Sequence, residues 1–293
     1  MDNKFIYALG FFDGVHLGHG ALLEKCRQMA DALGCRAGAV TFDIHPQSMT
    51  AGRSPVLINT RQDRDLLLRR FGADEIVCLP FDETLRSMTW VDFLVMLGRD
   101  HNAMGFVCGD DFHFGYQGRG NAAALREYCE TECIPHAVVP EQTVDGLRVS
   151  SSHIRGLLEQ GDVETAGRFL GHPHILSGEV VSGRGLGRTL GIPTANLLPP
   201  EGLVQLPHGV YACIAVAEGQ RCLAVTNIGS RPTVGGHRVT VEPWLLDFDG
   251  DLYGKALTLE FYKFLRPERK FDSLEELKAQ IQADAVTTRR LLG

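Results

Sequence analysis

Two histidines, His16 and His19, lie in a glycine-rich stretch whose residue types suit the binding of phosphate. An apolar run over residues 5–9 precedes the stretch, and apolar residues recur at helical spacing over residues 22–29. This pattern predicts a strand end, a turn and the first turn of a helix. A helix N-terminus offers unpaired N–H groups to a phosphate, and imidazoles can donate hydrogen bonds to phosphoryl oxygens. We therefore predict a nucleotide-phosphate site, although an isolated H-x-x-H pair is more often a tight turn without chemistry.

The complete string over residues 10–19, G-F-F-D-G-V-H-L-G-H, narrows this prediction. It lacks the G-K-[ST] of a Walker A loop and the spacing of a dinucleotide fingerprint. It resembles the H-x-G-H signature of nucleotidylyltransferases, in the form found in bacterial flavin-adenine-dinucleotide synthetases. The resemblance implies catalytic roles for His16 and His19. It also implies that five further residues bind nucleotide or phosphate: Gly10, Phe12, Asp13, Gly14 and Gly18.

Two later segments resemble further motifs of the same family. The string over residues 149–155 combines three serines with an arginine at a predicted helix start, where hydroxyls, N–H groups and a guanidinium can all donate to one phosphate. It resembles the family's I-S-S-T-x-I-R, which implies phosphate binding by Ser151 and Ser152 and a catalytic role for Arg155. The string over residues 109–115 resembles G-x-D-F-x-F-G, which implies that three residues bind flavin: Asp111, Phe112 and Phe114.

The first half of the chain alternates between short apolar runs and helical patterns, which predicts a doubly wound parallel sheet. The predicted strands cover residues 5–9, 36–42, 75–80, 103–108 and 134–139. The predicted helices cover residues 61–71, 89–97, 122–132, 151–159 and 163–170. The motifs above then lie at strand ends and helix starts, where open α/β sheets bind ligands.

The composition changes after residues 171–174, and from Ile175 onward short alternating apolar segments are separated by Gly, Pro and Asn. This pattern predicts an antiparallel barrel or sandwich. We therefore expect two domains, residues 1–170 and 171–293. A final helix is predicted from Ser273, which can form a capping box with Glu276. Its apolar stripe is predicted to consist of Leu274, Leu277 and Ile281.

The second half contains a glycine-rich loop with two arginines, followed by Pro193 and the hydroxyl of Thr194. Such a loop can cover a polyphosphate, and a threonine hydroxyl can supply an oxygen to Mg²⁺, which prefers oxygen ligands. The string over residues 187–196 resembles the riboflavin kinase motif that contains P-T-A-N. The resemblance implies nucleotide binding by four residues, of which Thr194 and Asn196 would also bind the metal: Gly187, Arg188, Thr194 and Asn196.

Two more segments resemble riboflavin kinases. The string over residues 227–233 resembles N-I-G-x-R-P-T, which implies flavin binding by Asn227 and Arg231. The string over residues 242–254 places Glu242 at the position of the family's catalytic glutamate. Pro243 follows this glutamate and removes a ladder donor, so the sequence leaves the local strand geometry open.

The composition is that of a globular domain pair: 293 residues, of which 44% are hydrophobic and 22% charged. No apolar run approaches the ~20 residues that span a membrane, and no signal-peptide pattern precedes the first strand, so we expect a cytoplasmic protein. The net charge of −7 disfavours nucleic acid as a partner. The eight cysteines show no zinc spacing and are expected to be reduced. The oligomeric state is not predicted.

These resemblances imply an α/β nucleotidylyltransferase domain with a Rossmann-like parallel sheet, then an antiparallel β-barrel riboflavin kinase domain with a C-terminal helix. The implied function is bifunctional: ATP-dependent phosphorylation of riboflavin to FMN, and adenylylation of FMN to FAD with release of pyrophosphate. The implied cofactor is Mg²⁺, with ATP as co-substrate. One alternative is a single-activity nucleotidylyltransferase that acts on another phosphorylated acceptor and carries a non-catalytic barrel. Another is a non-enzymatic flavin-binding or RNA-binding module.

Overall fold

A computed structural model describes residues 3–50, 55–182, 191–233 and 236–293, without the side chains of residues 50 and 231–238. Its internal contacts define two units. The first unit contains Met1–Val56 and Arg64–Ser151, and the second contains Leu57–Asp63 and Ser152–Gly293. By contacts, residues 152–170 therefore group with the second unit, whereas the sequence places the domain boundary after residue 170. The position of the functional boundary stays a prediction.

The first unit is built on a five-stranded sheet in the order β3-β2-β1-β4-β7, in which all neighbouring strands are parallel. Its strands, together with two short antiparallel pairs, are β1 (Phe5–Leu9), β2 (Arg36–Phe42), β3 (Glu75–Leu79), β4 (Ala103–Gly109), β5 (His113–Phe114), β6 (Gly120–Asn121), β7 (His136–Val139), β8 (Thr143–Val144) and β9 (Leu147–Arg148). Its helices are α1 (Leu17–Leu33), α2 (Gln47–Thr50), α3 (Arg61–Arg70), α4 (Glu83–Ser87), α5 (Trp90–His101) and α6 (Ala122–Thr131); α3 begins in the second unit.

The central strands form the core because they are apolar on both faces. Every residue of β1 is buried, as expected for a parallel strand that is covered by helices on both sides. The predicted strand over residues 134–139 begins later, at His136. The reason is local: the N–H of Ile134 donates to the carbonyl of Cys129 at 2.8 Å and so completes the end of α6.

The order of the sheet places the predicted N-terminal motifs at one edge. Successive strands proceed outward from β1 in one direction through β2 and β3, and in the other through β4 and β7. Ligands bind open α/β sheets in the crevice at the carboxyl ends of the strands where this reversal occurs. The histidine-containing turn follows β1, and the loop with Asp111 follows β4. Both therefore lie at this crevice.

The second unit contains an antiparallel five-stranded sheet in the order β10-β14-β11-β12-β13. Its strands are β10 (His174–Glu179), β11 (Gly209–Ala217), β12 (Gln220–Thr233), β13 (Gly236–Leu245) and β14 (Ala256–Pro267). Its helices are α7 (Ser151–Glu159), which begins at the end of the first unit, α8 (Val163–Leu170) and α9 (Leu274–Leu292). The predicted fold class, a parallel α/β domain followed by an antiparallel barrel and a C-terminal helix, is confirmed.

The short segment 195–197 closes the sheet of the second unit. On one side it pairs with β13: Leu197 and Val241 exchange two backbone hydrogen bonds of 2.8 and 3.1 Å. On the other side, the carbonyl of Asn196 accepts from the N–H of Val181 at 2.9 Å, just beyond β10. Because β10 and β13 are the two edge strands, these bonds join the edges and convert the sheet into a barrel.

The C-terminal helix differs in part from its predicted pattern. Ser273 caps it, and its side chain accepts from the N–H of Glu276 at 3.1 Å, as predicted. Leu274, however, is 53% exposed, so its assignment to the apolar stripe is wrong. The buried face carries Asp284 instead, because Arg266 on β14 binds its carboxylate through two nitrogens, at distances of 2.8 to 3.2 Å. An ion pair therefore helps to orient this helix.

Two expectations from the sequence concern the cysteines and membrane-spanning helices. All eight cysteines are free, and four of them are buried. In the part of the chain that the structure describes, no helix is both long and apolar enough to cross a membrane.

We predict that Gly105→Ala destabilises the first unit by about 1–3 kcal/mol, because the new Cβ would lie 2.5 Å from the carbonyl oxygen of Pro135 and 2.6 Å from Ile6. The matched control is Gly98→Ala in α5, where the nearest atom is 3.7 Å away. This control should stabilise the unit by about 0.5–1 kcal/mol through helix propensity.

Urea unfolding measures both effects through the fluorescence of Trp90, which lies in the first unit. The other tryptophan of the chain, Trp244, is replaced by Phe in the background protein. Equal stability of the two glycine variants would contradict the close packing of β4 against residue 135.

Candidate active sites

The turn after β1 is held in an unusual backbone conformation. Phe12, Gly14 and Val15 have φ angles of 63°, 82° and 41°, in the left-handed region that favours glycine. Phe12 and Val15 nevertheless have fully buried side chains, with 0% exposure. Left-handed non-glycine residues persist only where the surrounding structure fixes them, and they cluster at functional sites. The turn is therefore a rigid, preformed element.

The two histidines lie where this turn enters α1. His16 caps the helix, and its Nδ1 accepts a hydrogen bond from the backbone N–H of His19 at 3.4 Å. The two rings stack, with centroids 3.7 Å apart and planes inclined by 14°. Gly18 is required next to them, because a Cβ there would lie 3.1 Å from the ring of His16. The structure thus brings both histidines together at a helix N-terminus, as the sequence predicts.

The imidazole of His19 is held in its neutral form. Burial lowers its pKa well below the usual value of 6.5, and the nearby His16 and Arg64 act in the same direction. Its Nδ1 is buried and has no hydrogen-bond partner among the described residues. A neutral imidazole with an unused ring nitrogen can still exchange a hydrogen bond with a ligand.

Serine and arginine side chains reinforce the histidine turn. The hydroxyl of Ser151, predicted from a separate motif, donates to the carbonyl oxygen of Asp13 at 2.8 Å. Arg64 is 3% exposed and donates to the carbonyl oxygens of Phe11 at 3.2 Å and Phe42 at 2.7 Å. Its guanidinium also lies 4.3 Å from the ring centroid of Phe11.

Sequence reasoning missed Arg64 because it lies in an ordinary charged helix, outside any motif. Only its burial reveals that it supports the turn after β1.

The loop after β4 separates its predicted flavin residues. Asp111 is exposed and forms an ion pair with Arg148 at 2.5 Å, which also contacts Glu141 at 2.7 Å. Phe112 is half-buried and stacks on Phe114 at a centroid distance of 5.4 Å. Phe114 itself is 6% exposed and belongs to the core of the first unit. Its position suits support of Phe112 better than direct contact with a ligand.

A cavity of about 690 Å³ in the second unit brings three predicted residues together, and its size is typical of a small-molecule site. Thr194, Asn227 and Glu242 all line it. Asn227 and Glu242 are direct cross-strand partners on β12 and β13. The remaining wall has an apolar and aromatic part, from Ile192, Val210, Val225, Trp244, Phe271, Leu277 and Ile281, and a charged part, from Arg266, Glu268, Arg269, Lys270 and Asp284. The cavity therefore combines a polar end with a surface suited to a flat ring system.

Hydrogen bonds orient the polar end of this cavity. Thr240 lies two residues before Glu242 on the same strand, and its hydroxyl donates a hydrogen bond to Oε1 of Glu242 at 3.0 Å. The amide of Asn227 donates to Oε1 of Glu268 at 3.3 Å. Thr240 and Glu268 were not singled out from the sequence, because an alternating strand and an exposed loop give no specific signal.

The structure resolves the question raised by Pro243. β13 continues through it, and Pro243 keeps its register opposite Thr226 on β12. Its carbonyl oxygen accepts from the N–H of Ala195 at 2.9 Å. The same edge of β13 pairs Val241 with Leu197, so the missing N–H of Pro243 faces the short segment 195–197 and spares the ladder to β12. The proline is therefore compatible with an intact strand at Glu242.

A second cavity of about 420 Å³ lies next to the first, and Thr194 lines both. Asp249, Asp251 and Tyr253 contribute polar groups to its wall. Asn196 is 4% exposed and donates to the carbonyl oxygen of Thr194 at 3.4 Å. The segment that closes the barrel thus also positions the threonine between the two cavities.

The other predicted residues fall into three groups. Gly187 and Arg188 lie outside the described residues, and so does the side chain of Arg231, whose backbone belongs to β12. Ser152 is exposed near the start of α7, and Arg155 lies one helical turn after Ser151. Gly10 is buried at the end of β1.

Two known protein families match this chain. The sequence model of the FAD synthetase family matches residues 1–153, and that of the riboflavin kinase family matches residues 170–292. The chain is 37% identical to a bifunctional riboflavin kinase/FMN adenylyltransferase of Pseudomonas fluorescens over 98% of its length and 92% of the relative. The chain belongs to the bifunctional riboflavin kinase/FMN adenylyltransferase family.

Other members of this family have slightly lower identities. The member from Escherichia coli (strain K12) is 35% identical over 98% of this chain and 93% of its own length. The member from Bacillus subtilis (strain 168) is 34% identical over 96% of this chain and 90% of its own length. A crystal structure described as a macrolide-efflux protein from Streptococcus pneumoniae superimposes with a TM-score of 0.84 and 29% identity, covering 99% of this chain and 95% of that one.

We predict that the folded first unit loses stability as the pH falls from 7.5 to 5.5, because His19 takes up a proton near pH 6.5 only when unfolded. The variant His19→Asn, neutral throughout, should lose roughly 1 kcal/mol less than the wild type over this range. Urea unfolding followed through Trp90 at three pH values measures the difference. Parallel pH curves for the two proteins would show that His19 titrates normally.

Proposed function

We propose that the chain converts riboflavin to FMN in the second unit and FMN to FAD in the first, with ATP as the co-substrate of both steps. One observation supports the kinase assignment most directly. Thr194, Asn227 and Glu242 lie in separate sequence motifs and yet line one cavity that also has an aromatic wall. The proposed boundary between the two functional domains remains at residues 170–171, consistent with the extents of the two family matches.

In the kinase step, the 5′-hydroxyl of riboflavin attacks the γ-phosphorus of ATP and ADP leaves. An alcohol is a weak nucleophile at neutral pH, so a base that accepts its proton lowers the barrier. Glu242 is the carboxylate at the polar end of the cavity, and the bond from Thr240 orients it. We assign Glu242 as this base.

We place the nucleotide in the smaller cavity, on the other side of Thr194 from the flavin. Because Asp249 and Asp251 lie in its wall, the charge of the phosphates would have to be compensated by Mg²⁺ and by Arg188. This arrangement would place the γ-phosphate near Thr194, with Asn196 holding the threonine backbone. Gly187, Arg188 and Arg231 retain their proposed roles in binding nucleotide and flavin.

Magnesium fits the donors of this site. Mg²⁺ is commonly bound by one or two protein oxygens together with substrate phosphates. The described residues contain no cluster of three His, Cys, Asp or Glu suited to a metal, so a metal here would depend on ATP for most of its ligands. Thr194 and Asn196 supply the oxygen type required. When bound, the ion would neutralise charge on the transferred phosphoryl group.

In the adenylylation step, the phosphate of FMN attacks the α-phosphorus of ATP and pyrophosphate leaves. The nucleophile is already ionised, so alignment and stabilisation of charge contribute most of the catalysis. His16 and His19 at the start of α1, with Gly10, Gly14 and the other residues of the turn, would hold the phosphates of ATP. Ser151, Ser152 and Arg155 would donate to the same phosphates, and Asp111 and Phe112 would bind the flavin of FMN.

The proposal extends to partners and location. We propose that the partners are the small molecules riboflavin, FMN and ATP, without nucleic acid or membrane, and that the protein is cytoplasmic. The net charge of −7 supports the absence of nucleic acid among these partners.

We predict that Glu242→Gln reduces FMN formation from riboflavin by about 100-fold or more, because general-base catalysis contributes 10²–10⁴ in rate. The same variant should convert supplied FMN to FAD at the wild-type rate. His19→Ala should show the opposite pattern. Chromatographic separation of the flavins after incubation with ATP and Mg²⁺ measures both reactions.

Two controls make this experiment specific. Glu218→Gln, at an exposed glutamate between β11 and β12 and outside every proposed binding motif, should retain both activities. Loss of both activities in a folded Glu242→Gln or His19→Ala protein would contradict the separation of the two sites.

We also predict that riboflavin quenches the fluorescence of Trp244, which lines the larger kinase cavity. A flavin ring in this cavity would contact the indole, and contact with an isoalloxazine quenches its emission. Titration of a Trp90→Phe variant with riboflavin measures the quenching. Unchanged Trp244 emission at riboflavin concentrations that saturate the kinase would place the flavin elsewhere.

A further inference from the structure

A third cavity, of about 620 Å³, lies in the second unit and belongs to neither proposed reaction. We call it the barrel cavity. It is bounded by the sheet and by the segment 199–206. Most of its lining side chains are apolar, including Leu176, Leu203, Leu206, Ile228, Val241 and Phe261, but slightly more than half of its accessible wall is polar. Backbone hydrogen bonds of 2.7 and 2.8 Å join Leu57 to Val204 and Gly202 and so hold this segment in place.

The register of two strands separates the barrel cavity from the kinase cavity. Ile228 and Val241 are cross-strand partners that line the barrel cavity. The adjacent pair, Asn227 and Glu242, lines the kinase cavity. Because successive side chains of a strand point to opposite faces, the two cavities lie on opposite faces of β12 and β13. The barrel cavity is therefore a separate site and not an extension of the kinase site.

A single buried histidine distinguishes the barrel cavity from an ordinary gap in an apolar core. His174 lines it and is 5% exposed, and its ring lies 5.7 Å from that of Phe261. The Nδ1 of His174 has no hydrogen-bond partner among the described residues. Burial, assisted by the like charge of His172, lowers the pKa of His174 to about 3. The imidazole is therefore neutral near pH 7, with one nitrogen that donates and one that accepts.

We propose that the barrel cavity binds a small, uncharged aromatic heterocycle that exchanges a hydrogen bond with the imidazole of His174. The volume is in the range of small-molecule sites, in which a few polar groups fix the orientation of the ligand. The ring of Phe261, which also lines the cavity, provides a flat surface for a planar ligand.

Charge excludes the phosphorylated substrates from this cavity. Glu201 is the charged residue of the described lining, and the neutral His174 offers no positive charge to an anion. Binding a phosphate here would require removal of its hydration without compensation by an opposite charge. FMN and ATP are therefore unsuitable, and the ligand is a neutral molecule.

Indole and naphthalene form a matched pair of probes for this proposal, because they are similar in shape but only indole has a polar N–H. We expect indole to bind the full-length protein with a dissociation constant on the order of 1 mM or tighter, as measured by isothermal titration and ligand-observed NMR. His174→Phe should weaken indole binding about three- to tenfold, the range of one hydrogen bond, and leave naphthalene binding within about twofold.

Two tryptophan substitutions locate the bound probe. Leu203 is half-buried in the wall of the barrel cavity, so Leu203→Trp fills this cavity and should abolish binding of both probes. Leu277→Trp fills the kinase cavity instead and should leave probe binding unchanged. Circular dichroism checks that each variant folds. If His174→Phe does not fold, probe binding to Leu203→Trp and Leu277→Trp still tests the proposal. Absence of indole binding to the wild type, or unchanged indole binding to Leu203→Trp, would overturn the proposal.

Discussion

The backbone pairing of residues 195–197 is the constraint on which the second unit depends. This segment bonds to Val241 on one side and to Val181 on the other, and so joins the two edges of a five-stranded sheet. An open sheet edge exposes unpaired N–H and C=O groups, and closure satisfies them. The same closure fixes Thr194 at the boundary between two cavities. Closure of the barrel and the position of Thr194 between the two cavities therefore depend on the same short segment.

In the first unit, the corresponding constraint is the strained turn after β1. Its parallel sheet has a crevice at the carboxyl ends of β1 and β4, where the order of successive strands reverses. The turn after β1 presents its N–H groups and histidines at this crevice. Left-handed Phe12 and Val15 are held by complete burial, and Ser151 and Arg64 bind backbone carbonyls at and beside the turn. The site is thus preorganised by contacts from helices distant in sequence, which suits a reaction that depends on alignment.

Much of the fold was predictable because its signals are local. The predicted residues match those of four elements, β1, β2, α7 and α8. Apolar periodicity and capping residues are properties of short stretches of sequence, so they predict such elements well. On α9 the sequence pattern did not reveal that Leu274 is exposed, nor that Asp284 is buried, since the burial of Asp284 depends on Arg266 in another element. Arg64, Thr240 and Glu268 escaped detection for the same reason: their significance lies in contacts, and their sequence context is ordinary.

The sequence by itself determined the two classes of domain, their order and the motifs that carry phosphate and flavin chemistry. Residue types and short-range spacing are sufficient for these features. Only the tertiary structure decided that Thr194, Asn227 and Glu242 share one cavity, that Pro243 leaves its strand intact, and that His174 lines a separate cavity. These features arise from strand register and from the pairing of distant segments, and hydrophobic periodicity within one segment contains no information about either.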